Sequence, residues 1–89
     1  MKLATPLVHL NGTPKQSLLD PLLKAYEETA ILYHELALTA PNGRDYYPLG
    51  AQAFEAAREE HFNRLTSVQR IREELEELIN AIEAQGVRP

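Results

Sequence analysis

The stretch "FEAAREEHFNRLTSVQRIREELEELINAI", residues 54–82, decides the fold. Phe54, His61, Val68, Leu75 and Ile82 stand seven residues apart, and Ala57, Arg64, Ile71 and Leu78 repeat at the same interval. Two such series are the heptad pattern of a helix that packs along its length against other helices. Leu65 and Ile79 widen the apolar stripe. The opposite face carries Glu55, Glu59, Arg70, Glu73, Glu76, Glu77 and Glu83, a charged surface that water solvates. Glu60 stands four residues before Arg64, the favourable orientation for a pair on one helix. The spacing predicts a helix over about residues 50–84, stopped by Gln85-Gly86, with a tail over 85–89.

Upstream, residues 39–49 gather the turn formers Pro41, Asn42, Gly43 and Pro48 around Arg44, Asp45, Tyr46 and Tyr47. Asn42-Gly43 suits a positive φ that would end a preceding helix. That helix is predicted over about residues 14–38, with Leu19, Leu22, Leu23, Tyr26, Ala30, Tyr33, Leu36 and Ala37 on one wide face. Its start is marked twice. Thr13 as cap, Pro14 as first residue and Gln16 three beyond the cap form one signal, and Asp20-Pro21 forms another. A proline well inside a helix removes a hydrogen bond and crowds the preceding turn, so a short first turn and a kink near Asp20 are expected. Residues 1–12 form an extended arm whose Leu7, Val8 and Leu10 need cover.

A short polar loop between two long helices favours an antiparallel hairpin. At 1.5 Å per residue the helices span roughly 37 and 52 Å, so the second overhangs the first. The overhanging far end carries Leu78, Ile79 and Ile82, and Leu7, Val8 and Leu10 are expected to cover it, in the same chain or in a dimer mate. Two helices cannot enclose a core, and an 89-residue chain buries only about 60% of its unfolded surface. The expected fold is therefore all-α: a two-helix hairpin that dimerises into a four-helix bundle.

Composition narrows the chemistry. The chain has 44% hydrophobic and 25% charged residues and no cysteine, which excludes a disulfide framework, a thiolate metal site and a cysteine nucleophile. No apolar run approaches the roughly 20 residues of a membrane span, and the start lacks a signal-peptide core. A soluble cytoplasmic protein is expected. The net charge of −4 argues against broad binding to a phosphate backbone.

Candidate polar groups are few. Counting outward from the loop places His61 near Ala30, between Tyr26 and Tyr33, where a tyrosine hydroxyl would satisfy the imidazole. A pH-sensitive interface is the sharper alternative. Arg64, in the seam, would need Glu27 or Glu28 as partner. A carboxylate-bridged dimetal bundle uses Glu-x-x-His, but Ile31 and Arg58 stand three residues before His34 and His61, so no metal or other cofactor is expected. No serine or threonine adjoins a base, and no glycine-rich loop could cradle a phosphate. Arg44, Asp45, Tyr46 and Tyr47 remain as a partner-binding surface, since tyrosine and arginine are enriched at interfaces. The bland alternative is that one tyrosine plugs the bundle while Asp45 caps the second helix or pairs with Arg44.

"HLNGT" at 9–13, "APNGRDYYP" at 40–48 and "AFEAAREEH" at 53–61 together resemble a group of small uncharacterised bacterial proteins of phage and prophage genomes. The resemblance spans almost the whole chain, with "NGRDYY" its most specific part. It implies an origin in mobile DNA and carries over no catalytic residue; Pro21 departs from the continuous helix it implies. The expected function is that of a non-enzymatic interaction or assembly protein. A nucleic-acid-associated regulator using Arg58, Arg70 and Arg72 is the alternative, and a metal-binding bundle the second.

Overall fold

The computed structural model describes residues 2–86. They form an all-helical hairpin: an extended arm, α1 over Lys15–Ala37, two 3₁₀ turns over Gly43–Asp45 and Tyr47–Leu49, and α2 over Ala51–Glu83. Both long helices end within a residue of the positions that heptad spacing and turn formers predict. The tail beyond Gly86 lies outside the described residues.

α1 runs from Lys15 through Pro21 as one helix, so of the two start signals the one at Thr13-Pro14 marks where it begins. Pro21 has no N–H to give the preceding turn, a cost of about 3 kcal/mol. Packing on both sides of it offsets this. Leu19 is buried against Val8 and Ile82, and Leu18, Leu22 and Ile79 close over the same cluster. Burying one such side chain is worth about 1.5–3 kcal/mol, so a helix holding three leucines in place outweighs one missing bond. Thr13 does not cap α1; Pro14 occupies the cap position, with no side-chain hydrogen bond there.

The arm docks on the C-terminal end of α2 within its own chain. Val8 is buried against Leu19 and Ile82, whereas Leu7 and Leu10, expected to share that role, are exposed. Gln85 fixes the arm's backbone as a neighbouring strand would: its Oε1 accepts from Val8 N–H at 2.9 Å, and its Nε2 donates to the Pro6 carbonyl at 2.8 Å. Lys15 completes the joint. Its ammonium donates to the carbonyls of Glu83 and Gln85 at 2.7 and 2.8 Å, satisfying acceptors that the end of α2 leaves free and meeting the negative end of its dipole.

The first turn of α1 therefore lies level with the last turn of α2, and the overhang falls at the opposite end from the one expected. α1 is about 35 Å long and α2 about 50 Å, so the surplus of α2 extends beyond Ala37 toward the connection. The connection follows it. Asn42 Oδ1 accepts from Arg44 N–H at 3.0 Å, nucleating the first 3₁₀ turn, and Gly43 faces Phe54, so that a Cβ added there would stand 3.8 Å from the ring. The positive φ predicted at Asn42-Gly43 occurs instead at Gly50, where φ is 99° immediately before α2. Only glycine adopts this conformation without strain, and it turns the chain from the 3₁₀ turn into the helix.

Ile82 is fully buried at the joint, and Leu10 is exposed beside it. Ile82→Ala is expected to cost about 2–5 kcal/mol and Leu10→Ala under about 0.5, measured by urea unfolding followed by circular dichroism. Equal losses would show that the joint does not anchor the fold.

Candidate functional site

Three groups of residues could carry function: the helix interface, the seam histidine and the hairpin tip. At the interface the central side chain is Arg72. Its Nη1 donates to the Thr29 hydroxyl at 3.0 Å and to the Tyr26 carbonyl at 3.3 Å, and its guanidinium stands 4.5 Å from the centre of the Tyr26 ring. Tyr26 in turn reaches Glu76 at 3.5 Å through its hydroxyl. A planar guanidinium can stack and donate in its own plane at once, which a lysine ammonium cannot. Sequence reasoning placed Arg72 among residues for nucleic acid; the structure turns it inward. The available signal was position, since Arg72 shares a helix edge with Leu65 and Ile79, seven residues to either side.

Arg64, expected to cross to Glu27 or Glu28, does neither. It pairs with Glu60 of its own helix at 3.7 Å and is more than half exposed, while Glu27 is exposed. The other ion pairs among the described residues, Lys24–Glu28 at 3.2 Å and Arg58–Glu55 at 3.3 Å, also join exposed neighbours on one helix. Such pairs contribute about 0–1 kcal/mol, so these ion pairs do not join the two helices.

His61 follows the same correction. Because Lys15 meets the end of α2 and Thr29 meets Arg72, His61 lies beyond the level of Ala37 and not at the level of Ala30 assigned to it. Its Nδ1 is buried and has no hydrogen-bond partner. Tyr33 instead borders an open hollow of about 490 Å³ with Phe62, Leu65, Thr66, Gln69, Arg70 and Glu73. Arg58, the third arginine assigned to nucleic acid, stacks 5.6 Å from the centre of the Phe54 ring. Among the described residues no three His, Asp or Glu side chains converge.

At the tip, Arg44, Asp45, Tyr46 and Tyr47 divide. Tyr46 is half-buried, its ring 6.2 Å from that of Phe54 at an interplanar angle of 41°, so it covers the exposed start of α2. Tyr47 is 76% exposed and stands beside an equally bare Leu49. Arg44 and Asp45 are exposed and form no ion pair with each other, and Gly50 rather than Asp45 occupies the cap position of α2. The tip is thus one structural tyrosine plus a small projecting surface of Arg44, Asp45, Tyr47 and Leu49.

No helix among the described residues is long and apolar enough to cross a membrane. No family model matches the chain, and no curated protein or solved structure is significantly similar to it.

Arg72→Ala is expected to destabilise the hairpin by about 2 kcal/mol, and Arg72→Lys to recover less than half of that. Arg70→Ala should change stability by under about 0.5 kcal/mol. Calorimetric unfolding of the three variants checks this, and full rescue by lysine would refute the stacked geometry. Separately, Tyr46→Ala should lower the unfolding midpoint and Tyr47→Ala should leave it unchanged, read in the same instrument.

Proposed function

We propose that this protein is a non-enzymatic helical interaction protein that works as a homo-oligomer, a dimer being the simplest form, and presents the hairpin tip to a protein partner. One observation carries the reading. Among the described residues four side chains are buried, Val8, Leu19, Val68 and Ile82, whereas eleven large apolar side chains are exposed. They are spread along a rod of 66 × 23 × 16 Å. Its radius of gyration is 19.2 Å, against about 12 Å for a compact chain of this length. A second hairpin laid alongside would cover part of the surface exposed on the two long helices, as in a four-helix bundle.

The tip suits a partner better than a substrate. It offers Tyr47, Leu49 and Arg44 on a convex end, and convex aromatic and arginine anchors are what a pocket on another protein engages. We further propose, on the motifs quoted from the sequence alone, that it serves an accessory or assembly step of phage or prophage DNA. The nucleic-acid alternative loses support, because Arg72 is held between the helices and Arg58 is paired with Glu55.

Light scattering at two concentrations tests the oligomer: a species of about twice the 10.1 kDa chain mass is expected, and a fully helical monomer at high concentration would overturn the bundle. The tip is tested by affinity capture from the native host during prophage induction. A partner retained by the wild type and lost with Tyr47→Ala, at unchanged stability, is the expected outcome; undiminished capture would remove the tip from the interface.

A further inference from the structure

Asparagine followed by glycine occurs twice, at Asn11-Gly12 and at Asn42-Gly43. In this dipeptide the backbone nitrogen of the glycine can attack the asparagine side-chain amide, because no Cβ on the second residue hinders the approach. The fold sets the two copies apart. Gly12 N–H donates to the His9 carbonyl at 3.1 Å, and the His9 ring lies so close over Gly12 that a Cβ there would stand 2.6 Å from Nε2. Its nitrogen is engaged in a tight turn. Gly43 N–H, by contrast, has no hydrogen-bond partner among the described residues, and Asn42 is exposed. Asn42 Oδ1 accepts instead from the next N–H along the chain, that of Arg44, at 3.0 Å. This bond closes a turn through the side chain and folds the Asn42 amide back toward the peptide that follows it. The remaining asparagines, Asn63 and Asn80, stand inside α2, where the following N–H belongs to the helix ladder.

We propose that Asn42 is the site of spontaneous deamidation in this chain and that the fold shields Asn11 from the same reaction. The Gly43 nitrogen bonds to Asn42 Cγ while its proton passes to water or hydroxide. The Cγ–Nδ2 bond then breaks, ammonia leaves, and a cyclic imide remains. Water adds to either imide carbonyl. One opening leaves aspartate at position 42; the other leaves isoaspartate, in which the backbone runs through the former side chain and is one carbon longer. Water is taken up and ammonia released, with no oxidation. As Gly43 attacks, Oδ1 gains negative charge, and Arg44 N–H already stands within hydrogen-bond distance of it, the arrangement that stabilises an oxyanion. At Asn11 the attack must first break the Gly12–His9 bond, worth about 1 kcal/mol and so roughly fivefold in rate, and must also displace the His9 ring. Either product places a new carboxylate at the hairpin tip, two residues before Arg44, so the charge of the tip changes with the age of the molecule. Aspartate can keep the bond from Arg44 N–H. Isoaspartate alters the spacing on which the first 3₁₀ turn depends, since the Asn42 carbonyl accepts from Asp45 N–H at 3.0 Å.

A timed incubation of the intact protein in mildly alkaline buffer, followed by peptide mass mapping, reads the replacement of amide by acid at each asparagine. Conversion at Asn42 is expected to run more than about fivefold faster than at Asn11. In guanidinium chloride, where His9 no longer lies over Gly12, the two rates should converge. Gly43→Ala should slow conversion at position 42 about tenfold or more without lowering the unfolding midpoint, because a Cβ there meets Phe54 at an ordinary 3.8 Å and Gly43 has no positive φ. Conversion at Asn11 as fast as at Asn42 in the folded protein, or conversion of both only in denaturant, would overturn the proposal. So would a Gly43→Ala chain that converts as fast as the wild type.

Discussion

The stacking of the Arg72 guanidinium on Tyr26, with its donation to Thr29, sets how far α1 is displaced along α2. Helices that meet through aliphatic side chains alone can slide by a turn at modest cost, because leucine for leucine the packing repeats. A planar group with two acceptors and an aromatic face to satisfy does not repeat, and moving it one turn would leave a partly buried cation without partners. Lys15 holds the same register from the end, since only one alignment places its ammonium over the last carbonyls of α2. Gln85 then fastens the arm to that joint.

Everything at the other end follows from this alignment. With the start of α1 level with the end of α2, the extra length of α2 extends past Ala37, and the connection cannot be a tight turn. It has to travel back along the surplus helix, which it does as two 3₁₀ turns laid toward Phe54. Tyr46 is drawn in to cover that ring, and Tyr47, one residue on, is left outside. The projecting tip is thus a product of unequal helix lengths and of register, and it needs no motif of its own.

Element type and boundary were legible because heptad spacing and clustered turn formers are local signals, and both helices end within a residue of where those signals put them. Register was not, because counting outward from the loop assumes a tight turn and shifts every cross-helix pairing. His61 with Tyr26 and Arg64 with Glu27 both fail for that single reason. Pro21 shows a different limit: its penalty is local and visible in the sequence, but the packing of Leu19 and Leu22 around it is a tertiary term that no local rule contains. At the tip, the four residues 44–47 could be singled out from composition, yet which tyrosine was structural depended on where Phe54 lay.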